Sequence, residues 1–201
     1  MPSRWISVEP EERLEETGPT VLDQKDVDAI TAQVPTLSVA ITERVQTGTL
    51  TTDHGEVDAK ICGTVPDYLR LLAEQARVQV KQGEFLDSSD IENKKDVLVL
   101  SETLAEKLFT DTNPVGQSIK LGDRKLVVIG VTSRGADWAS DLIYDGYVPH
   151  TLFEPNSELD SSPKYDRLRF KAKTLDDAKF ANELIRKIIE RRHPDKKIRV
   201  Q

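Results

Sequence analysis

Residues 96–131, DVLVLSETLAEKLFTDTNPVGQSIKLGDRKLVVIGV, decide the fold. They begin with an apolar run that has no polar alternation, which predicts a short strand buried on both faces. Ser101 then caps a helix whose apolar residues fall on one side: Leu104, Ala105, Leu108 and Phe109. Residues 113–116, NPVG, end the helix in a tight turn, and two further strands meet at Gly122-Asp123. A strand, a helix and a hairpin are therefore predicted in this order.

The first predicted helix lies upstream, over residues 24–34. Asp23 is its N-cap and Asp26 follows three residues later, a variant of the capping box. Its apolar residues recur at i, i+3 and i+7, which gives the helix one buried face. Pro35 ends it. Before this helix, residues 4–9 alternate loosely as a strand.

Between this helix and residue 76 the pattern predicts short strands and a bend. β-Branched residues favour a strand at residues 37–45, and residues 47–55 are polar and turn-prone. Residues 56–62 alternate as a second strand. Residues 63–68 form a bend that leads into an amphipathic stretch, residues 68–76.

The C-terminal segment predicts a β-α-β unit. Apolar residues alternate over 168–172 as a strand, and Thr174 then caps a helix with Asp177 three residues later. Basic residues crowd the last turns of this helix, where the helix dipole favours cations. Pro194 stops the helix, and residues 197–200 form a final strand. A short crossover of this kind places both strands in one sheet.

The fold class is therefore predicted as α+β with a discontinuous architecture. The two outer blocks, residues 1–77 and 160–201, form one β-α-β lobe, because each helical stripe is too small to be stable alone. Residues 78–159 form a small inserted strand-helix-hairpin lobe. The acidic run at residues 11–16 and the Ser-rich run at 156–164 are interpreted as solvated linkers.

Composition excludes several functions. The chain of 201 residues has 35 acidic and 28 basic residues, a net charge of −7, which argues against binding to nucleic-acid phosphates. The longest apolar stretch, residues 126–131, is far shorter than the ~20 residues that cross a bilayer. No apolar signal-peptide core follows Met1. The single cysteine, Cys62, excludes an internal disulfide and a multi-cysteine zinc site.

No residues combine into a reactive site. His54, His150 and His193 are far apart, and none has a second ligand at metal-binding spacing. Cys62 alternates within a strand, which is typical of a small buried hydrophobe. Residues 87–92 contain several oxygen ligands but lack the central glycine and the later glutamate of a calcium loop. Ser88 or Ser89 capping a short helix is the favoured interpretation.

Motifs for nucleotide binding and acyl transfer are also missing. The sequence contains neither G-x-x-x-x-G-K-[ST], nor G-x-G-x-x-G, nor G-x-S-x-G, and Ser101 has no nearby histidine. We therefore predict that the chain is not an enzyme and has no catalytic, cofactor-binding or metal-binding residues. A hydrolase would require Cys62 or Ser101 to lie beside a histidine.

The combined pattern resembles the periplasmic core domain of MacB-type ABC transporter permeases, a group that includes lipoprotein-releasing and FtsX-like permeases. The likeness is carried by a strand with an "ETxAxKLF" helix, then "NPVGxxI", a hairpin and "VIGV". Flanking segments also resemble family patterns. Residues 63–68 resemble "G(T/V)xPDY", residues 82–85 resemble "xGRxF", and residues 147–149 resemble "vYVPL". Residues 6–10 and 22–30 resemble the N-terminal part of the family's domain. The sequence departs from these patterns at Glu84, where the family usually has Arg, and after Tyr68.

The resemblance implies a domain on the periplasmic or extracellular side of a bacterial cytoplasmic membrane, between two flanking transmembrane helices. Residues 1–77 plus 160–201 would be the Porter-like lobe and residues 78–159 the Sabre-like lobe. ATP would be hydrolysed by a separate nucleotide-binding domain or subunit. The implied partners are the rest of the permease and its ABC ATPase, a second subunit in a homodimer or heterodimer, and in some systems a periplasmic adaptor. Nucleic acid is not among them.

Two functions follow from this resemblance. The first is mechanotransmission, in which the domain couples cytoplasmic ATP hydrolysis to conformational change and to substrate or partner handling outside the membrane. The alternative is recognition of substrate or adaptor without a role in motion. No motif in the sequence identifies the transported substrate. Residues 47–55 and 135–146 are candidate contact segments because loops of this kind are exposed.

Overall fold

The computed structural model describes five stretches of the chain: residues 3–11, 22–53, 55–110, 112–153 and 163–201. Contacts divide the chain into two compact units. The first unit comprises Met1–Arg44 and Glu154–Gln201, and the second comprises Val45–Phe153. The first unit is discontinuous in sequence, and the second lies between its two segments.

Mixed α and β elements alternate along the described residues. In chain order the strands are β1 (Trp5–Pro10), β2 (Leu22–Asp23), β3 (Leu37–Thr52), β4 (Gly55–Thr64), β5 (Val80–Gly83), β6 (Val97–Ser101), β7 (Ser118–Leu121), β8 (Arg124–Thr132), β9 (Gly146–Pro149), β10 (Lys164–Tyr165), β11 (Arg167–Ala172) and β12 (Ile198–Val200). The α-helices are α1 (Gln24–Gln33), α2 (Tyr68–Leu71), α3 (Ser88–Glu92), α4 (Glu102–Leu108) and α5 (Leu175–Arg192). Single helical turns of other kinds occupy Leu72–Ala76 (π), Asp137–Ala139 and His150–Phe153 (both 3-10). The predicted α+β class is confirmed.

The sheet of the first unit has the strand order β12-β1-β11-β3. β1 is antiparallel to both β11 and β12, so β11 and β12 are parallel to each other and are joined by α5. This arrangement confirms the predicted β-α-β unit. The caps of both long helices also agree with prediction, because Asp23 and Thr174 each form a capping box with the acid three residues later.

The core of the first unit lies between α1, α5 and one face of this sheet. Side chains of alternate residues in β1 and β11 point into it, and they meet the apolar stripes of both helices. The largest contributors are fully buried: Ile6, Val8, Ile30, Leu168, Phe170 and Ile185. The two helices are therefore held mainly by burial of their apolar faces.

The opposite face of β11 also is buried, although its side chains are charged. Arg167 Nε donates to Glu9 Oε2 at 2.6 Å, and Arg169 Nε donates to Glu43. The Lys171 ammonium lies 5.4 Å from the centre of the Trp5 ring. Strand alternation alone predicts that such residues face solvent, so this ion-pair network is information that only the tertiary structure supplies.

The sheet of the second unit contains the part of β3 after Arg44 and has the strand order β3-β4-β9-β6-β8-β5, and β7 pairs with both β3 and β8. β6 lies inside this sheet, parallel to β8 and antiparallel to β9. Each residue of β6 is buried, which confirms the prediction of a strand covered on both faces. The predicted hairpin is also confirmed, because β7 and β8 are joined through Gly122, whose φ is +57°.

Two local predictions need correction: the turn at residues 47–55 and the serine cap at residues 88–89. Residues 47–55 are mostly strand rather than turn, since β3 runs to Thr52 and pairs with β4, and the Thr49 hydroxyl donates to Asp58 at 2.7 Å. The cap of α3 is Asp87 rather than Ser88 or Ser89, because Asp87 forms a capping box with Asp90. A serine adjacent to an aspartate could not be distinguished from it by residue type alone.

The predicted lobe boundary at residue 78 does not coincide with a boundary of the compact units. The second unit begins at Val45 because β4 pairs in parallel with β9 and because Tyr68 packs on Tyr147. It ends at Phe153, close to the predicted end at residue 159. The assignment of Porter-like and Sabre-like lobes to residues 1–77 plus 160–201 and 78–159 stays a prediction. Both predicted linkers, 11–16 and 156–164, lie mainly outside the described residues.

Candidate functional site

Two of the motif segments meet on neighbouring strands of the second unit. Gly83, in the QGEF segment, is opposite Gly130, in the VIGV segment, in the antiparallel pair of β5 and β8. A Cβ atom on Gly83 would overlap the carbonyl oxygen of Ile129, and one on Gly130 would overlap that of Glu84. Gly83 also has a φ of +64°, which favours glycine. The two glycines therefore permit a close backbone approach that no larger residue allows.

Four aromatic rings join two further motif segments, residues 63–68 and 147–149, to the QGEF segment. Tyr147 of β9 has its ring centre 5.5 Å from the rings of both Tyr68 and Phe85, and 6.2 Å from Tyr144. The Tyr68 hydroxyl donates to the carbonyl oxygen of Leu142 at 3.0 Å, while the Tyr147 hydroxyl accepts from the backbone N–H of Tyr144 at 3.1 Å. These residues are buried, so the motif tyrosines and phenylalanine build one packed cluster.

The NPVG segment forms a hydrogen-bonded turn beside β8. The Asn113 side-chain oxygen accepts from the backbone N–H of Val115 at 3.0 Å, and the N–H of Gln117 donates to Pro114 at 3.0 Å. The N–H of Gly116 donates to the carbonyl oxygen of Val128 at 2.8 Å, and its φ is +89°. This segment is thus a β-turn that leads the chain from α4 into β7.

An open cleft of about 570 Å³ lies between the QGEF and NPVG segments. Its described lining is neutral and consists of backbone and short polar or apolar side chains: Gln82, Gly83, Thr110, Thr112, Asn113, Pro114 and Val115. Amide and hydroxyl groups of this kind can donate and accept hydrogen bonds but cannot hold a charge or a metal ion strongly. The described part of the lining is therefore suited to hydrogen bonding with polar groups.

A polar network lies at the first turn of α4. Ser101 caps the helix by accepting from Leu104 N–H at 3.2 Å, and Glu102 accepts from the Lys81 ammonium and from the Arg134 backbone N–H. The hydrogen bond from Lys81, followed by the one from Arg134, lowers the pKa of Glu102 below its usual value. The network holds β5, α4 and the segment after β8 together, so its role is structural.

The other residues considered for chemistry lie on different elements, although the backbone of His150 passes close to Gly63, the residue after Cys62. Cys62 is buried in β4, His150 begins a 3-10 turn, and His193 caps the C-terminus of α5 with Nε2 2.9 Å from Asp26. His54 lies outside the described residues. Ser101 uses its hydroxyl for the helix cap. Among the residues that the structure describes, no group of three or more His, Cys, Asp and Glu side chains could hold a metal ion.

The oxygen-rich segment at residues 87–92 also has local partners. Asp87 accepts from the backbone N–H of Asp90 at 3.0 Å, and its pKa is lowered by hydrogen bonding from Ser89 and from that N–H. The Lys95 ammonium donates to Asp90 at 2.9 Å and to Ser89 at 2.7 Å, and the bond to Asp90 raises the pKa of Lys95. The oxygens cap α3 and pair with a cation.

Sequence reasoning missed one exposed aromatic residue in the candidate contact segment 135–146. Trp138 is 69% exposed, and the Arg77 guanidinium lies 5.1 Å from its ring centre. The loop that carries it is anchored by Ala139 and Leu142, which both follow Trp138 in sequence and are buried. A tryptophan in a predicted loop is the signal that could have identified this position. In the other contact segment, 47–55, Leu50 is fully buried.

Comparison with solved structures identifies the class. The fold matches the periplasmic region of MacB from Actinobacillus actinomycetemcomitans with a TM-score of 0.81 and 18% identity, covering 100% of this chain and 89% of that one. It matches the extracellular domain of the ABC-type transporter YknZ from Gram-positive bacteria with a TM-score of 0.75 and 20% identity, covering 98% and 99%. The fold is that of extracytoplasmic domains of ABC-type transporters.

Sequence comparison identifies the family. Residues 2–188 match the model of the MacB-like periplasmic core domain, and the chain belongs to this family. It is 29% identical over 87 residues to the macrolide export ATP-binding/permease protein MacB of Neisseria gonorrhoeae, covering 43% of this chain and 13% of that protein. The MacB protein of Chromobacterium violaceum is 25% identical over 141 residues, covering 70% and 21%. The chain thus spans a small part of these relatives. Within the described residues, no helix has the length and apolar character needed to cross a membrane.

Proposed function

We propose that this chain is a mechanical coupling domain of an ABC transporter permease. In this proposal, ATP hydrolysis in a cytoplasmic nucleotide-binding domain moves the transmembrane helices, and this domain converts that movement into opening and closing outside the membrane. The observation that carries the proposal is the use of the family-like motifs: their glycines, aromatic rings and turn residues serve close packing. None of them presents a reactive group.

Close packing matters for this role because a domain that transmits movement must not deform when its ends are displaced. Protein interiors packed to crystal-like density have low compressibility and pass strain to their neighbours. The Gly83–Gly130 approach and the four-ring cluster join segments that are far apart in sequence into one unit. A binding pocket would instead require convergent polar groups around an enclosed apolar space.

The proposed partners follow from family membership. They are the flanking transmembrane helices, the ABC ATPase and a second permease subunit, with a periplasmic adaptor in systems that have one. The domain would lie on the periplasmic or extracellular side of a bacterial cytoplasmic membrane. The relatives are named for macrolide export, so a macrolide is the cargo to test first.

The experiment uses the full-length permease with its ATPase in lipid nanodiscs. A spin label is placed at Lys120, which is exposed on β7, as Lys120→Cys in a transporter from which Cys62 and every other reactive cysteine have been removed. Distances between the labels of two subunits are measured by pulsed electron resonance with ADP and with a non-hydrolysable ATP analogue. We expect a nucleotide-dependent change in distance. Identical distance distributions in both states would contradict coupling, and a transporter unable to bind nucleotide is the control.

Recognition is the second candidate function, and the neutral cleft between the QGEF and NPVG segments favours it. Calorimetric titration of the chain alone with a macrolide tests this function. Binding tighter than about 1 μM that is lost in Asn113→Ala supports recognition, since a coupling domain needs no such affinity. Gln117→Ala, an exposed change next to the cleft, is the matched control.

A further inference from the structure

Trp138 presents an exposed aromatic ring on a loop of the second unit that is anchored on both sides of the ring. Before the ring, the N–H of Ala136 donates to the carbonyl oxygen of Ala76 at 2.9 Å. After it, the carbonyl oxygen of Leu142 accepts from the buried Tyr68 hydroxyl at 3.0 Å. A surface that is already held in place loses little conformational entropy when a ligand covers it.

The backbone conformation of this loop places a carboxylate beside the ring. The N–H of Ala139 donates to the carbonyl oxygen of Ala136 at 3.0 Å, and the N–H of Leu142 donates to that of Ala139 at 2.9 Å. In turns with such i→i+3 hydrogen bonds, side chains three residues apart lie above one another. Ala139 and Leu142 are therefore buried together on the inner side, while Trp138 and Asp141 are exposed together on an outer side.

Arg77 covers one face of the ring and leaves the other open. Its guanidinium lies over the indole, 5.1 Å from the ring centre. Its backbone has a φ of +58° and is fixed at the end of the π-helical turn, where its N–H donates to the carbonyl oxygen of Leu72. Because Trp138 is 69% exposed with this face occupied, the opposite face of the indole is accessible.

The polar groups around the ring are available to a ligand. Within the described residues, the side chains of Arg77, Asp137 and Asp141 have no hydrogen-bond or ion-pair partner. A stacked guanidinium directs its N–H donors outward in its own plane, around the edge of the ring. The two carboxylates supply acceptors. One open aromatic face is thus bordered by both donors and acceptors.

This composition favours a sugar over a protein surface. The fully buried centre of a protein–protein interface usually combines several apolar and aromatic side chains. Here Val127, on β8, is the one other large apolar side chain that is exposed in the described part of the second unit. A pyranose ring instead has one apolar C–H face, and its hydroxyl groups both donate and accept at its edge. The two carboxylates outnumber the guanidinium, which disfavours an anionic sugar.

We propose that Trp138 is a binding platform for a neutral pyranose ring of a glycan chain outside the membrane. The C–H face of the sugar packs on the open indole face, Arg77 donates to hydroxyl oxygens of the sugar, and Asp141 accepts from its hydroxyl groups. The family's periplasmic or extracellular location places the domain where such chains can reach it. The binding does not depend on the coupling role.

Calorimetric titration of the chain tests this proposal with three neutral probes, namely cellotetraose, chitotetraose and maltotetraose, and with tetra-lysine as a charged comparison. We expect at least one of the neutral probes to bind with a Kd of about 1 mM or tighter. Its affinity should change by less than about twofold between about 50 mM and 500 mM NaCl, because a neutral ligand is not screened by salt. Failure of all three sugars to bind at about 10 mM, or binding of tetra-lysine in their place, would overturn the proposal.

Variants of Trp138 test whether the sugar binds at this ring. Trp138→Ala should weaken binding about tenfold or more, whereas Trp138→Tyr should stay within about threefold of the wild type, because a phenol ring also offers an aromatic face. Val127→Ala, an exposed apolar change in the same unit, is the matched control and should bind normally. A Trp138→Ala chain that binds as tightly as the wild type would contradict the site.

A second pair of variants tests the stacked guanidinium. Arg77→Gln removes its donors from the edge of the ring, and we expect affinity to fall about fivefold. Arg70→Gln is the matched control, because Arg70 is also exposed but is paired with Glu74 at 3.2 Å. Equal affinities of the two variants would remove Arg77 from the site. Circular dichroism establishes that each variant is folded, and nucleotide-dependent motion of the transporter is measured separately and is unaffected by these results.

Discussion

Asp26 and His193 are 167 residues apart in sequence, yet His193 Nε2 lies 2.9 Å from the Asp26 carboxylate in the first unit. Arg192 Nε donates to the same oxygen at 2.5 Å, and the other Asp26 oxygen accepts from the backbone N–H of Asp23 at 2.9 Å. Asp26 is fully buried. One carboxylate therefore completes the cap of α1 and holds the C-terminus of α5 against it.

Asp26→Ala is expected to lower the free energy of unfolding by about 3 kcal/mol, because it removes a buried acceptor and leaves Arg192 and His193 without it. Urea denaturation of the chain measures this value. Asp28→Ala on the exposed side of the same helix is the control, and we expect a change below about 0.5 kcal/mol. Equal losses in both variants would contradict the role assigned to Asp26.

Gly130→Ala is expected to destabilise the second unit by about 1–3 kcal/mol, since the new methyl group overlaps the carbonyl oxygen of Glu84 and the strands must separate. Val127→Ala in the same strand is the matched control, because Val127 is exposed and should tolerate the change. Denaturant midpoints of the two variants provide the comparison. A Gly130→Ala chain as stable as the wild type would show that β5 can move away freely.

Tyr68→Phe is expected to loosen the loop that carries Trp138. The change removes the hydroxyl that donates to Leu142 at 3.0 Å in a buried site, which costs about 1 kcal/mol. Because the contact is local, we expect faster tryptic cleavage after Arg134 and faster amide exchange near Leu142, with little change elsewhere in the chain. Tyr165→Phe, whose hydroxyl donates to Gln24 in the first unit, is the control. If amide exchange near Leu142 is unchanged in Tyr68→Phe, the Tyr68 hydroxyl does not anchor this loop.

Acid should destabilise the chain in part through Glu102. Hydrogen bonds from Lys81 and Arg134 lower its pKa in the folded state below the ordinary value of 4.5. A lowered folded-state pKa contributes stability that is present above the unfolded-state pKa and is lost as pH falls through the folded-state pKa. Glu102→Gln should therefore show a shallower loss of stability than the wild type between about pH 5 and pH 3.

The matched control for this pH dependence is Glu92→Gln, an exposed change in α3. Free energies of unfolding are measured by urea titration at steps of about half a pH unit across that window. Parallel pH profiles for the wild type and Glu102→Gln would show that Lys81 does not stabilise the ionised carboxylate.

The local sequence was sufficient to predict structure where the interacting residues are three or four positions apart. The caps at Asp23, Ser101 and Thr174 were predicted because each oxygen accepts from an N–H in the same turn. The apolar run of β6 likewise predicted burial on both faces.

Contacts between residues that are far apart in sequence could not be predicted from local sequence patterns. The motif glycines at 83 and 130 were visible in the sequence, but their contact depends on β5 lying beside β8. The buried charges of β11 required knowledge of Glu9 and Glu43 on neighbouring strands. The unit boundary at Val45 similarly depends on β4 pairing with β9, which residue spacing does not determine.

The sequence by itself determined the α+β class, the helix caps, the fully buried strand and, through its combined motifs, the family. Tertiary structure alone decided which strands are neighbours, where the compact units divide and which charges are buried. The physical reason is the sequence separation between interacting residues. A helix cap or an apolar stripe depends only on residues within one or two helical turns of each other. The partner of Asp26 or Gly130, in contrast, is chosen by the packing of segments that the whole chain brings together.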